Sequence, residues 1–415
     1  MIRSVLKNLF SLGFIQLISL LIPILLTPLL ITRIGISYFG TIATAQGFVL
    51  LFNIITDFGF NITAVRSVAQ ANNNYNELTK IVNSVSFLKI LLLVSAFILF
   101  LFVIYFVPQF NQYFKLYLYS FLMVVGQSLL PIWYYQGREI ITKTLVPILL
   151  GKLISVVAIL MIIKGENDAP YVNLLLGLGT LVSAAYLNIP IIRKYRLEKS
   201  FLEWGKIKVE INQNLPFFIS NASVFAYSNS ATLVLSFFVS PYTVGLFNVA
   251  EKIIQLGKTM LVMIHQVTYS KLCSLINDGH EIAIAFLRKI YTIIWLGVLV
   301  FCLLLFFFSY EAVSFFITDT QQHFAASQIL KSLAFLLLVI AFNMPFYQYL
   351  LALKKDWIAV RIIIICSVIS IILNFFLVPI MQIDGLVITM YFIEALVTIF
   401  MIAQVIKLKQ RQYVS

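Results

Sequence analysis

Charge is what this 415-residue chain has least of. Charged residues make up 11% of it and apolar residues 61%, against about 25% and about 45–50% in ordinary soluble domains. A soluble globular fold is excluded on that ground, and the chain is read as an integral membrane protein. Cysteine is scarce as well. Cys273, Cys302 and Cys366 each lie in or beside an apolar run, with no CxxC spacing, so neither a disulfide framework nor a metal centre follows. The three histidines, His265, His280 and His323, are far apart, and no GxSxG, HExxH, Walker A lysine or GxGxxG motif occurs. The chain is therefore read as a non-enzyme that needs no cofactor. With no nucleotide-binding element, any pumping has to draw on ion gradients or on substrate flux.

What is present is a succession of apolar runs about 20 residues long, the length that crosses a bilayer as a helix. They fall at 10–32, 39–65, 83–107, 114–136, 144–164, 171–192, 215–239, 246–272, 286–309, 328–353, 357–380 and 384–406. None alternates with the period-2 pattern of a membrane barrel, so the class is an all-α integral membrane protein with twelve transmembrane helices. Arg3 and Lys7 precede the first run without a small-residue cleavage site, which reads as a first spanning helix rather than a cleaved signal. Placing the N-terminus inside puts 22 of the 29 basic residues on the cytoplasmic side. Four (Arg33, Lys115, Lys164 and Lys331) fall outside, and three (Lys152, Lys252 and Lys258) fall within helices. The net charge of +13 is then the positive-inside bias, not a nucleic-acid surface, and both termini are cytoplasmic.

The longest polar stretch lies at the midpoint of the chain. It divides the chain into an N-terminal six-helix half (1–192), a basic cytoplasmic linker (193–214) and a C-terminal six-helix half (215–415). Arg33-Ile-Gly-Ile-Ser-Tyr-Phe-Gly40 and Phe238-Val-Ser-Pro-Tyr-Thr-Val-Gly245 each close one run and open the next. An offset of 205 pairs Gly40 with Gly245, Ala45 with Ala250 and Arg66 with Lys271. Six helices per half give both halves the same orientation, so the two repeats are parallel, with substrate expected between such repeats.

Polar residues concentrate in the segment 215–272. Its first run carries Asn221, Tyr227, Ser228 and Thr232; its second carries Glu251, Lys252, Gln255 and Lys258, with Glu251, Lys258 and His265 seven apart. That spacing holds side chains near one helical face. Hydroxyls and amides are accounted for by hydrogen bonding between helices, but that does not account for three ionisable groups. A charge near a bilayer centre costs about 2.5–3.5 kcal/mol on insertion scales. Facing stripes of this kind would wall a wet cavity. In the second run, Gln46, Asn53, Asp57 and Asn61 also share a face. Asp57 there reads either as an ion or proton site or as the partner of a cation such as Lys252. Lys152, Lys89 and Arg361 lie close enough to cytoplasmic helix ends to snorkel to the headgroups. Glu394, alone in the last run, is either protonated in place or binds a coupling ion. Arg33 reads as an interface anchor or an outer-gate cation, and Pro23 and Pro28 permit bending of a cavity-lining first helix.

The order Thr32-Arg33-x-Gly35-x-x-x-Phe39-Gly40, Asp57-Phe-Gly59-Phe60 followed by Arg66, Trp133-Tyr-Tyr-Gln136-Gly137-x-Glu139, and Val244-Gly245-x-Phe247-x-x-Ala250-Glu251-Lys252 resembles the Wzx-type O-antigen flippases. These belong to the polysaccharide transporter family of the multidrug/oligosaccharidyl-lipid/polysaccharide exporter superfamily, and the resemblance runs over essentially the whole chain. It implies a MATE-like fold in the bacterial inner membrane. The implied activity is movement of an undecaprenyl-diphosphate-linked oligosaccharide from the cytoplasmic to the periplasmic leaflet by alternating access. A diphosphate needs cations, for which Lys258 and Lys252 stand first, then Arg66, Lys152 and Arg33. Asn221, Tyr227, Ser228, Thr232, Asn53 and Gln255 would meet sugar hydroxyls. Proton or sodium coupling is implied too, with Asp57, Glu251 and Glu394 as its carriers. Membrane lipids and other polysaccharide-assembly proteins are the expected partners. A drug or metabolite exporter of the same superfamily would favour an acidic cavity. A membrane-embedded polysaccharide-assembly enzyme would favour arginine-rich outer loops, and these loops are short and nearly neutral.

Overall fold

The computed structural model describes residues 2–71, 74–195 and 204–414. Among the described residues every regular element is helical, as the apolar runs require once backbone groups have no water to bond. The chain forms two compact units, residues 1–222 and 223–415.

In the first unit the helices are α1 (Ile2–Asp57), α2 (Phe60–Gln70), α3 (Tyr75–Phe106), α4 (Pro108–Asn111), α5 (Phe114–Leu129), α6 (Ile132–Gly137), α7 (Leu145–Ile162), α8 (Ala169–Lys194) and the larger part of α9 (Trp204–Ser228). Helix α1 carries two of the expected spans. It is interrupted at Gly35, whose φ of 76° and ψ of 160° lie outside helical geometry. The next expected span, 39–65, is not one helix. Phe58 and Gly59 take φ of 43° and 88°, so α1 stops at Asp57 and α2 restarts beyond the joint. The expected face through Gln46, Asn53, Asp57 and Asn61 is corrected accordingly: it ends at Asp57, and Asn61 is exposed on α2. Glycine is required at the joint, because a Cβ on Gly59 would come within 2.7 Å of Phe217 Cβ and 3.2 Å of the Asn214 carbonyl.

Helices α7 and α8 cross through glycines. A Cβ on Gly151 would sit 2.2 Å from the Gly179 carbonyl oxygen, and one on Gly179 would sit 2.2 Å from that of Gly151. With the backbones this close, Ser155 donates to the Leu175 carbonyl and Ser183 to the Pro147 carbonyl, both at 2.9 Å, the small-residue and hydroxyl packing expected inside a membrane. Between α5 and α6 the chain breaks at Leu130–Pro131, because proline cannot donate into a continuing helix. The carbonyls left behind are taken up by side chains: Lys89 Nζ donates to Ser128 O at 3.3 Å and Asn188 to Leu129 O at 2.8 Å. The aromatic run Trp133-Tyr134-Tyr135 is buried, with the Tyr135 hydroxyl donating to the Leu187 carbonyl at 2.8 Å. This part of the recognised motif holds α6 to α8.

The second unit contains α10 (Ala231–Ser236), α11 (Pro241–Asp278), α12 (His280–Phe307), α13 (Ser309–Ser314), α14 (Thr320–Leu333), α15 (Leu336–Ala352) and α16 (Asp356–Val414). Ser240 caps α11 by accepting from Thr243 N, with Pro241 in the first turn, a favoured start for a helix. Polar side chains tie the helices together. Gln348 donates to Thr268 Oγ1 at 2.7 Å and to the His265 carbonyl at 2.9 Å, Trp295 to the Ala341 carbonyl at 2.9 Å, and Tyr391 to the Ser332 carbonyl at 2.9 Å. Helix α16 is interrupted at Gln382 (φ 50°, ψ −121°), so it too carries two expected spans.

Among the described residues, eight helical stretches are long and apolar enough to cross a membrane. Two of them, Leu21–Gln70 and Asp356–Leu408, contain the interruptions just described. Helices α9 and α11 are not among the eight, being the most polar of the long segments. Each of the twelve expected spans is largely helical, with breaks inside 39–65, 114–136, 215–239 and 328–353, which is consistent with the twelve-span reading. Of the expected linker 193–214, Arg193 and Lys194 close α8, 204–214 open α9, and 196–203 lie outside the described residues.

Candidate functional site

The charged groups of the second unit gather along α11. Thr232 of α10 donates to the Glu251 carboxylate at 2.5 Å, and Asn248, one turn earlier on α11, donates to the same oxygen at 3.5 Å and to Thr232 Oγ1 at 3.3 Å. Lys252, half-buried, stands beside this carboxylate and feels its charge. Two turns on, about 10 Å along the axis at 1.5 Å per residue, Lys258 faces a second carboxylate. This is Glu394 of α16, only 8% exposed. Glu394 accepts from Asn343 Nδ2 of α15 at 2.8 Å and from the Tyr227 hydroxyl at the end of α9, and it lies within electrostatic reach of Lys258. Four helices thus converge on a carboxylate that has no charged neighbour in sequence. Burial of an unpaired charge costs several kcal/mol; here the amide, hydroxyl and ammonium supply the compensation. A further seven residues on, His265 stacks on Tyr269 and packs against Tyr347, with ring centroids 6.1 and 5.8 Å apart.

The first unit uses its charges differently. Asp57, at the joint that ends α1, pairs with Lys89 of α3 at 3.7 Å. Lys89 is 6% exposed and also bonds the Ser128 carbonyl. The expectation that Lys89 snorkels to the headgroups is corrected, because its ammonium is held inside by a carboxylate and by a carbonyl freed at the α5–α6 break. Arg33 donates to the carbonyls of Leu160 and Ile163 at 2.8 and 2.6 Å, closing the C-terminal end of α7, where a cation is favoured. Lys152 is half-buried on α7, Arg66 is exposed on α2, and Asn53 and Asn221 are half-buried on α1 and α9.

Of the residues singled out by sequence, the structure brings together Thr232 with Glu251 and Lys252, and Tyr227 with Lys258 and Glu394. It does not join Ser228 to them, since that hydroxyl donates to the Val224 carbonyl of its own helix. Gln255 is exposed on α11. Asn343 and Asn248 escaped sequence reasoning, although an amide inside an apolar span is a usable signal of interhelical bonding. For the role of Lys89 no signal existed: its partner lies on a different helix at no regular spacing.

Comparison with known proteins follows the same lines. A protein of Shigella dysenteriae named "Putative O-antigen transporter" is 25% identical over 403 residues, 96% of this chain and 99% of that protein. One of the same name from Escherichia coli K12 is 26% identical over 272 residues, 65% of each. Among solved structures, a multidrug resistance MATE family transporter in an inward-facing conformation aligns with a TM-score of 0.69 at 14% identity, covering 94% of this chain and 99% of that one. The lipid II flippase MurJ in an inward closed conformation aligns with a TM-score of 0.73 at 14% identity, covering 96% and 87%. At such identities the likeness is one of fold, and the fold is MATE-like. The sequence profile of the polysaccharide biosynthesis proteins matches residues 5–269, more than half of the chain, and this multi-span membrane protein belongs to that family.

Proposed function

We propose that this protein is a flippase of the bacterial inner membrane that carries an undecaprenyl-diphosphate-linked oligosaccharide from the cytoplasmic to the periplasmic leaflet. Alternating access of two six-helix halves would move it, with both termini on the cytoplasmic side. The observation that carries the reading is the similarity, over 96% of the chain, to a protein named "Putative O-antigen transporter". The physical requirements of such cargo agree with it. A diphosphate crosses hydrocarbon only where cations and hydrogen-bond donors replace water, while the polyprenyl tail stays in lipid.

Lys258 and Lys252 are assigned to the diphosphate, with Arg66 and Lys152 along the route. Arg33 ranks last because its donors are engaged by Leu160 and Ile163. Thr232, Tyr227, Asn221, Asn53, Ser228 and Gln255 are assigned to sugar hydroxyls. Coupling to a proton or sodium gradient is assigned first to Glu394. When its carboxylate is charged it neutralises Lys258; when it is protonated, the full charge of Lys258 is presented to an anionic cargo. Glu251 and Asp57 are the secondary candidates for coupling.

The test is complementation of a flippase-null bacterium with the wild type, Lys252→Ala and Lys258→Ala at matched membrane levels. Restored surface polysaccharide with wild type and its loss in both variants is the expected outcome. Wild-type polysaccharide in both variants would overturn the cation assignment, and drug efflux without polysaccharide would overturn the cargo.

A further inference from the structure

A pocket of about 330 Å³ lies in the first unit between α3, the α5–α6 break and α8, and none of its lining residues is assigned to the cargo or to coupling. Its walls are mostly apolar, from Val82 and Ile90 on α3 and from Leu181, Ala185 and Ile192 on α8. Ile90 and Ile192 are 51% and 63% exposed, so this face of the bundle meets the hydrocarbon. From Val82 to Ile90 the wall runs about 12 Å along α3, most of the depth of one leaflet of a core about 30 Å thick. The inner end is polar. Ser128 lines it with a hydroxyl that is buried and has no hydrogen-bond partner among the described residues. Lys89 lines it too, with one contact to Asp57 and one to a carbonyl, leaving the third ammonium proton for another acceptor.

The outer end lies at the C-terminus of α8, cytoplasmic by the positive-inside count. Tyr195 and Trp133 line it. Tyr75 stacks on Tyr195 at 5.6 Å and donates to the Lys194 carbonyl at 2.8 Å, while the Lys194 ammonium lies 5.4 Å from the Tyr195 ring centre. Arg193 and Lys194 are exposed at this rim. Aromatic side chains at headgroup level with basic residues beside an apolar slot are the features by which a protein selects an anionic lipid.

We infer that this pocket is a binding site for one anionic glycerophospholipid of the cytoplasmic leaflet. One hydrocarbon chain lies along the apolar wall of α3 and α8, stopping short of Ser128 and Lys89, and the phosphate rests at Arg193 and Lys194. The inference does not depend on the proposed transport activity.

The test uses the full chain purified in neutral detergent, titrated with phosphatidylglycerol and separately with phosphatidylcholine. Bound lipid is counted by native mass spectrometry and folding is followed by thermal melting. The wild type is expected to retain one phosphatidylglycerol in preference to phosphatidylcholine. Arg193→Ser with Lys194→Ser is expected to lower that affinity about fivefold per basic residue removed. Ala185→Trp, at an exposed lining position, is expected to abolish retention with melting unchanged; should it melt early, Ile192→Trp takes its place. Equal retention of the two lipids by the wild type would overturn the inference. So would unchanged phosphatidylglycerol retention in a folded tryptophan variant.

Discussion

Asp57 with Lys89 and Glu394 with Lys258 are both oppositely charged groups within the apolar body of the protein, and they are built differently. The first pair sits on two defects in the helical framework, the positive-φ joint after α1 and the α5–α6 break. Its charges satisfy backbone that proline and glycine leave exposed. The second joins side chains from uninterrupted stretches of helix, with Asn343 and Tyr227 completing the shell. Among the described residues its partners are side chains. A charge that supports a helix break is tied to stability, whereas one that touches only other side chains is available to change partner. On this contrast Asp57 and Lys89 are tied to the scaffold, while Glu394 and Lys258 are the pair proposed to work in transport.

Separating the two roles by mutation sharpens the contrast. Lys89→Ala has the largest expected effect on stability, since it strands a half-buried carboxylate and a free carbonyl at a cost of about 3 kcal/mol. Thermal melting in detergent and membrane abundance should both fall, and Lys89→Met with Asp57→Leu should recover part of the loss. A Lys89→Ala protein that melts as the wild type would break the contrast. Lys258→Ala should shift the balance, with melting falling by less than in Lys89→Ala because Asn343 and Tyr227 still donate to Glu394, and surface polysaccharide reduced about tenfold or more in complementation, the scale of one lost charged contact of about 1.5–3 kcal/mol. Glu394→Gln keeps a hydrogen-bonding shape while removing the charge. Transport should persist but lose its dependence on external pH, measured as polysaccharide export across buffered media. Thr232→Val leaves one acceptor of Glu251 without its hydroxyl donor, at about 1–3 kcal/mol, visible as a modest drop in melting temperature. Ser228→Ala, whose hydroxyl donates to its own helix and accepts only from the exposed Asn229 amide next to it, should change stability by less than about 0.5 kcal/mol.

The helical class and the positions of the spans were legible because hydropathy over twenty residues is a local property. The interruptions were legible only as gaps. Gly35 and Gln382 lie between expected spans, but sequence does not show that helix continues to within a residue of each. The joint at Phe58–Gly59 was missed because Asp57 and Asn61 on either side of it keep the four-residue step of one continuous helical face, and what demands glycine there is the approach of Phe217, more than 150 positions later. The site was half legible. Glu251, Lys252, Lys258 and Glu394 stand out as charges in apolar runs, a signal that needs no neighbours. That Asn343 and Tyr227 meet at Glu394, and that Lys89 turns inward to Asp57, depends on which helices touch, and no spacing along the chain encodes that.

The glycine crossing of α7 and α8 has a mechanical consequence. With each would-be Cβ only 2.2 Å from the opposite carbonyl oxygen, these helices have no slack to slide or roll past each other without losing the Ser155 and Ser183 bonds. They behave as a single beam. Bending in the first unit therefore falls outside this beam, with Gly35, Phe58–Gly59 and Leu130–Pro131 among the places where its helices are already interrupted. Spin labels on α7 and α8 should keep a fixed separation through every state of the protein, while labels placed across those three points should not.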